Sequence, residues 1–235
     1  MSLSRRKVIF TCEHGGNELP SEFNAAFDGA EEALTSHRGY DIGALELFQK
    51  FAESKVADVS FSSTTSRLLI ELNRSRHHPK LFSEFTQPLS EEEKRKIVTQ
   101  HYAPYRDKVE GQINEWIQDG FYVFHLSVHS FTPVLDGDKR KADIGLLYNP
   151  SREVEQLFAS KWRQEINKLN SDYKVRYNYP YKGTSDGFVT LLRRKHGADQ
   201  YAGLELEVNQ KFALGNQEEW SQLQEVLVQS FEQAL

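Results

Sequence analysis

Short apolar runs alternate along this chain with longer segments of helical periodicity, and this alternation restricts the fold more than any other feature. Predicted strands cover residues 7–12, 56–61, 67–72, 121–129, 142–148, 174–177 and 204–208. Predicted helices cover residues 41–54, 90–118, 153–169 and 218–235, the second of them interrupted at Pro104. Strands that alternate with helices are typical of α/β proteins. We therefore predict an α/β fold with a mixed, mainly parallel sheet.

The length of the chain predicts the number of domains, and its net charge argues against one class of partner. A chain of 235 residues without repeats or a linker is expected to form one domain over residues 1–235. The formal net charge of −5 argues against a nucleic-acid partner, because no excess of positive charge is available to neutralise phosphates. Basic clusters at residues 74–78 and 193–196 could still bind a small anion.

Cys12 is the only cysteine, so the chain has no disulfide framework, which fits a reducing cytoplasm. It shares a strand face with His14, and a Cys–His nucleophile pair is therefore conceivable. A lone cysteine that closes an apolar strand is more often a small core residue. The apolar run at residues 8–10 is too short for a signal peptide or a membrane span. We expect a cytoplasmic protein without a membrane partner.

Reactive side chains lie at the ends of three predicted strands. Glu13 and His14 follow the first strand, His129 ends the strand 121–129, and the last strand carries Glu205 and Glu207 on one face. In an open α/β sheet the ligand crevice lies beyond the carboxyl ends of the strands. These side chains are therefore expected to meet in one cleft.

Asp41, at the start of the predicted helix 41–54, would complete a zinc site. Two imidazoles and one carboxylate, from His14, His129 and Asp41, leave the fourth position to water, whose pKa zinc lowers to about 7. Glu207 is the favoured acid/base. Two alternatives stay open: Asp41 could simply cap the helix, and Glu13 could be the metal ligand in its place.

The stretch "TSRLLIELNRSRHHP" holds candidate substrate-binding residues, namely Arg67, Asn73 and Arg74. Guanidinium groups suit bidentate capture of a carboxylate, although arginines commonly pair with a protein's own acids. In "HYAPYRDKV", His101 and Tyr105 are further candidates for a polar substrate pocket, although packing would explain the tyrosine equally well. The turn "GTSDG" at residues 183–187 offers backbone N–H groups to an anion.

Taken in order, several motifs resemble the N-formylglutamate amidohydrolase family along nearly the whole chain. The matching stretches are "CEHGGNELP", "HRGYDIGA", "SRLLIELNRS", "HYAPYRDKV", "VHSFTP", "RKADIGLLYN", "NYPYKGTSDG" and "GLELEVNQ". The chain departs from the family pattern in its form of the first motif and at Arg106, where "HYxPYH" has histidine. These departures indicate a divergent branch of the family.

The resemblance implies a phosphorylase/hydrolase-like three-layer α/β sandwich related to zinc carboxypeptidases. It also implies metal-dependent hydrolysis of an amide, with loss of formate from N-formyl-L-glutamate in the best-known members. By this likeness His14, Asp41 and His129 are metal ligands, and Glu207 is the acid/base. Arg67 and Arg74 would bind the substrate carboxylate. The implied cofactor is one divalent metal ion, expected to be zinc, and the implied partner is a small-molecule carboxylate.

Three other functions compete with this one. The chain could be a zinc amidase that acts on a larger peptide or peptidoglycan substrate, although no export signal supports a wall substrate. It could be a non-catalytic protein that binds a small carboxylate through Arg67 and Arg74. It could also be a metal-free hydrolase that uses Cys12 as its nucleophile.

Overall fold

The computed structural model describes residues 5–235, and a six-stranded sheet lies at its centre. The strands are β1 (Arg6–Cys12), β2 (Val59–Ser62), β3 (Tyr122–Phe131), β4 (Val134–Leu135), β5 (Asp138–Lys139), β6 (Ile144–Leu147), β7 (Val175–Tyr177) and β8 (Tyr201–Asn209). The sheet order is β2-β1-β3-β8-β6-β7, while β4 and β5 form a separate hairpin. All neighbours in the sheet are parallel except β6 and β8, which confirms the predicted mixed, mainly parallel sheet.

Helices connect the strands. They are α1 (Glu31–Thr35), α2 (Ala44–Glu53), α3 (Glu91–Ile97), α4 (Ala103–Gln118), α5 (Glu153–Leu169), α6 (Phe188–Lys195) and α7 (Gln217–Ala234). Ser90 and Glu93 form the predicted capping box before α3, and Pro104 lies in the first turn of α4, where its missing N–H is not needed. Within residues 5–235, no helix is long and apolar enough to cross a bilayer.

The sheet is covered on both faces, because successive side chains of a strand point to opposite sides. Val8 and Phe10 of β1 belong to the cluster packed under α2, α5 and α7, which includes Trp162 and Phe231. Ile9 belongs to a second cluster under α4 and α6. The predicted three-layer sandwich is therefore confirmed.

Residues 67–72 form turns, so the strand predicted for them was wrong. Leu69 N–H donates to Ser66 O and Glu71 N–H donates to Leu81 O, in place of a strand partner. The apolar side chains of this run enter a third cluster together with Phe23, Phe27 and Ile97. Helix α6, which follows the "GTSDG" turn, was not predicted. It has only eight residues, which leaves little more than two turns in which a helical period could be recognised.

The parallel arrangement brings the chemistry-bearing residues to one edge. β1, β3 and β8 are neighbours with the same direction, so their carboxyl ends lie side by side. His129 is paired in register with Glu207, and Ser127 with Glu205. The side chains predicted to share a cleft therefore lie on adjacent strands.

Candidate active site

Two histidines and one aspartate converge at this edge of the sheet. His129 Nδ1 lies 2.9 Å from Asp41 Oδ2, and His14 Nδ1 lies 3.3 Å from the same oxygen. The three potential ligand atoms lie within 4.8 Å of one another, and all three residues are buried. The fold thus brings together the three residues that the sequence analysis grouped.

Asp41 is placed by the backbone as well as by its side chain. Its N–H donates to His14 O over 3.0 Å, so the segment before α2 is attached directly to the end of β1. The N-cap of α2 is Gly43, and the Asp41 side chain does not cap the helix. Of the two roles left open for Asp41, the structure supports the one directed at the histidines.

Each histidine has a second carboxylate on its opposite ring nitrogen. Glu71 contacts His14 Nε2, and Glu13 Oε2 lies 3.2 Å from His129 Nε2, with Ser127 Oγ at 2.8 Å. Metal-binding histidines characteristically donate their other N–H to a carboxylate, which fixes the tautomer. Glu71 was not singled out from the sequence, although an acid inside the otherwise apolar run "RLLIEL" was a signal for it.

Glu13 stands behind His129, away from the three converging atoms. Its Oε2 accepts from Ser127 Oγ at 2.5 Å, and its Oε1 accepts from Tyr105 Oη at 3.0 Å. Because both oxygens are occupied on the far side of the ring, the geometry favours Asp41 over Glu13 as a metal ligand. The motif "CEH" therefore supplies His14, which faces the other two potential ligands, and Glu13, which supports His129 from behind.

The donor set suits a divalent cation. Acceptor oxygens face both ring nitrogens of His14 and of His129, yet a neutral imidazole carries a single N–H. A cation bound by the two Nδ1 atoms and Asp41 Oδ2 would give each of these three atoms a partner, and neither imidazole would need a second proton. Two imidazole nitrogens and one carboxylate oxygen are ligands typical of zinc and similar metals. The residues present thus fit the predicted metal.

Buried charges in the site stabilise one another. Burial alone would raise the pKa of Asp41 and of Glu71, but their contacts with His14 and Arg67 hold both pKa values well below the usual range. Burial would lower the pKa of His129, but its contacts with Asp41 and Glu13 raise that pKa well above the usual value. Asp41 and Glu71 are therefore ionised, and the carboxylate of Asp41 is suited to bind a cation.

Arg67 links the two acids that contact His14. Its Nη1 donates to Asp41 Oδ1 at 2.9 Å, and its Nε and Nη2 donate to Glu71 Oε2 at 3.0 and 2.6 Å. These carboxylates raise the pKa of Arg67 despite its burial. Arg67 lines the cleft, but most of its guanidinium N–H groups donate to the protein's own acids.

A cavity of about 150 Å³ opens beside the three converging residues. Glu205 and Glu207 of β8 line it, and Glu207 Oε2 is buried with no hydrogen-bond partner among residues 5–235. Burial, together with the charges of Asp41 and Glu205, raises the pKa of Glu207 to about 8. A carboxyl group with a free oxygen and a pKa near neutrality is suited to proton transfer.

Two cations in the cavity have no acidic partner. No salt bridge formed within the described part of the chain involves Arg74 or Lys182, although both line the cavity. Arg74 Nη1 donates to the carbonyl oxygen of Asp186. The cavity therefore offers two cationic side chains without a salt bridge to an anionic ligand, next to the carboxyl groups of its lining. Lys182 was not identified from the sequence.

Asn73 lies between the cavity wall and the sheet. Its Oδ1 accepts from Phe188 N–H at 2.7 Å, and its Nδ2 lies 3.4 Å from His129 Nε2. It also lines the cavity. Both Asn73 and Arg74, which are adjacent in the chain, therefore line the cavity.

The other two predicted substrate-binding residues do not line the cavity. Tyr105, on α4, is directed at Glu13 behind His129. His101 lies in the short π-helical turn Val98–Tyr102, and its Nε2 has no hydrogen-bond partner among the described residues. Tyr105 also packs against two apolar clusters, which the spacing in "HYAPYRDKV" could not reveal.

Cys12 belongs to the main apolar cluster and is fully buried. Burial, reinforced by the negative charges of Glu13 and Asp41, raises the pKa of its thiol well above the usual value. A thiol that is hard to ionise is a poor nucleophile. The structure therefore favours the core role over the Cys12 hydrolase.

Comparisons with a family sequence model and with solved structures agree with the family resemblance found in the motifs. A sequence model of N-formylglutamate amidohydrolases matches residues 6–214. A gene product of Agrobacterium tumefaciens has a similar structure, with a TM-score of 0.78 and 23% identity over 100% of this chain and 92% of its own. An N-formylglutamate amidohydrolase from Ralstonia eutropha has a TM-score of 0.67 and 16% identity over 97% of this chain and 93% of its own. No curated protein sequence matched this chain.

The match to the family covers the whole site. It begins at β1, ahead of His14, and extends past Glu207 of β8. At identities below a quarter, the two structural neighbours show the fold, while the family model carries the assignment. The chain belongs to the N-formylglutamate amidohydrolase family and is accordingly a hydrolase that acts on an amide C–N bond.

Proposed function

We propose that this protein uses one divalent metal ion, with zinc the best suited, to hydrolyse a small N-acyl amino acid such as N-formylglutamate. The observation that carries the proposal is the convergence of His14, Asp41 and His129 beside the unpaired carboxyl group of Glu207. The neighbour from Ralstonia eutropha is itself an N-formylglutamate amidohydrolase, which supports the choice of substrate.

The metal would be held by His14, Asp41 and His129. When bound, a divalent cation of this kind polarises a carbonyl group and lowers the pKa of a water molecule. Glu71 and Glu13 would orient the two imidazoles from the other ring edge. Arg67 would keep the carboxylates of Asp41 and Glu71 in place.

Glu207 is proposed to move the proton. Its free Oε2 would accept a proton from the attacking water and return it to the departing amine nitrogen. A pKa near neutrality allows both transfers, because neither protonation state is then costly to reach. Glu205 lies on the same strand face and lines the same cavity, and its charge contributes to the raised pKa of Glu207.

Arg74, with Lys182 nearby, is proposed to bind a carboxylate of the substrate, while Asn73 orients it. Guanidinium–carboxylate pairs are strong and directional, and Arg74 forms no salt bridge within the described residues. The cavity of about 150 Å³ is small compared with the roughly 300–1,000 Å³ of common ligand pockets. This favours an amino-acid derivative over the larger peptide considered as an alternative.

Metal binding is the first test. Untagged protein, freed of metal with a chelator and then titrated with zinc, should bind about one ion per chain by plasma mass spectrometry, as in known three-ligand sites. His14→Ala and His129→Ala should lose this binding, whereas the exposed His77→Ala should retain it as a matched control.

Turnover follows as the second measurement. Formate release from N-formyl-L-glutamate should require zinc, and related N-acyl amino acids would define the acyl group. A protein that binds no zinc would contradict the metal mechanism. Zinc binding without turnover of any N-acyl amino acid would contradict the substrate and leave the metal site in place.

A further inference from the structure

A buried arginine on α4 holds the loop that carries Asn73 and Arg74. Arg106 Nη1 donates to Leu72 O at 2.8 Å and to Arg74 O at 3.3 Å. These two carbonyl groups flank Asn73 on either side. Arg106 is only 4% exposed, and no salt bridge within residues 5–235 involves it.

Two aromatic rings hold the guanidinium, and both also bind the same loop. The guanidinium carbon lies 3.7 Å from the ring centroid of Phe188 and 5.2 Å from that of Tyr102. The backbone N–H of Phe188 donates to Asn73 Oδ1 at 2.7 Å, and Tyr102 Oη donates to Arg74 O at 2.8 Å. Arg106 therefore lies at the centre of a cluster whose contacts all end on residues 72–74.

We propose that Arg106 is a positioning residue that sets the placement of Asn73 and Arg74, and through them the affinity for the substrate carboxylate. The proposal rests on the proposed function of this cavity. A buried guanidinium destabilises the fold unless hydrogen-bond acceptors and other favourable contacts surround it. Here no acid is paired with Arg106, but two carbonyl groups accept from its Nη1 and two aromatic rings face its positive charge.

The flat guanidinium group of arginine suits this arrangement, because one nitrogen donates to two carbonyl groups while the plane stacks on a ring. Residues 71–74 form a turn outside the sheet, so no strand partner fixes their backbone. A lysine ammonium at this position would keep the charge but would lose the flat face that stacks on Phe188. A neutral histidine has a single N–H and could not donate to both carbonyl groups, as the two hydrogens of Arg106 Nη1 do.

The test compares Arg106→Lys and Arg106→Gln with Arg152→Lys. Arg152 is a matched control because it also binds backbone carbonyls, those of Tyr201, Arg193 and His196, but lies outside the cavity. The Arg106 variants should raise KM for N-formyl-L-glutamate by on the order of tenfold to a hundredfold, since small displacements of binding groups are costly. Their kcat should change much less, and zinc affinity should stay at the wild-type value.

Amide hydrogen exchange gives a readout that does not depend on turnover. Exchange in residues 71–75 should accelerate in the Arg106 variants and stay unchanged in Arg152→Lys. Folded Arg106 variants with wild-type KM and wild-type exchange would overturn the proposal, as would a loss of zinc parallel to the loss of activity. A wild-type protein without turnover would refute the proposed function, and the exchange data alone would then decide the role of Arg106.

Discussion

The carboxylate of Glu71 contacts Nε2 of His14, while the Nδ1 atom of the same ring faces Asp41. His14 is thereby held between two acids that are 30 residues apart in the chain, and Arg67 donates to both of them. These contacts hold the imidazole with its Nδ1 edge turned to Asp41. This relationship makes Glu71 as much a part of the site as the residues that would touch the metal.

Glu71→Gln should weaken zinc binding about 10- to 100-fold, because outer carboxylates orient and strengthen histidine ligands. The measurement is a zinc titration in competition with a chromophoric chelator. Glu84→Gln is the matched control, since Glu84 is exposed and pairs with Arg38 at the surface. Equal zinc affinity in Glu71→Gln and wild type would show that this contact is not part of metal binding.

Asp41→Asn should abolish tight zinc binding, whereas Glu13→Gln should weaken it and leave it measurable. The reason is that Asp41 Oδ2 faces both Nδ1 atoms, while Glu13 stands behind His129. Plasma mass spectrometry after dialysis distinguishes the two variants, with circular dichroism to verify that each is folded. The reverse order of effects would identify Glu13 as the ligand.

Glu207→Gln should lower kcat at least about 100-fold and leave one zinc bound, since proton transfer by a positioned side chain contributes about 10²–10⁴ in rate. Glu205→Gln tests the neighbouring carboxylate on the same strand face, and we expect its effect on kcat to be smaller. Steady-state kinetics with N-formyl-L-glutamate provide the measurement. Full activity of Glu207→Gln would remove this residue from the mechanism.

Arg74→Gln should raise KM for substrates with a free carboxylate, because a hydrogen bond to a charged group contributes roughly 1.5–3 kcal/mol. That corresponds to about a tenfold to hundredfold loss. An N-formyl amino-acid amide, which lacks the carboxylate, should be affected far less by the same change. An equal loss for both substrates would argue that Arg74 acts on the fold of the loop and not on the carboxylate.

His125 makes stability sensitive to acid. It is fully buried between Thr11 Oγ1 and Tyr201 Oη, each at 2.7 Å, and burial lowers its pKa from 6.5 to about 4. Between these two pH values the unfolded chain binds a proton that the folded protein does not. The contribution of His125 is therefore complete above pH 6.5 and decreases as the pH falls towards 4, by about 3 kcal/mol in total.

His125→Gln removes the titrating group and keeps polar atoms near both partners. Urea unfolding from pH 7.5 to 4.5, with a chelator present to exclude metal effects, should show a shallower decline for the variant than for wild type. His77→Gln, an exposed control, should follow wild type. Parallel pH profiles of wild type and His125→Gln would mean that His125 does not carry this dependence.

Local sequence was sufficient for the strand ends and for most of the residues that meet there. A short apolar run predicts β1 and alternating apolar residues predict β3 and β8. In a parallel sheet, the polar residues at the carboxyl ends of these strands lie at the ligand crevice. His14, His129 and Glu207 could be found for this reason. The capping box at Ser90 is similarly local, because its partners are three residues apart.

Tertiary structure alone decided which groups support that crevice. The pattern of residues 67–72 is compatible with a strand, but the run is buried in a separate cluster, and this turns Glu71 towards His14 across 57 residues of chain. The sequence predicts that Arg67 binds the substrate, but in the structure its guanidinium forms an ion pair with Asp41. The sequence by itself therefore determined the strands β1, β3 and β8 and the residues at their ends, since hydrophobic patterning is a local property. Which acid faces which imidazole depended on long-range packing, which no local pattern encodes.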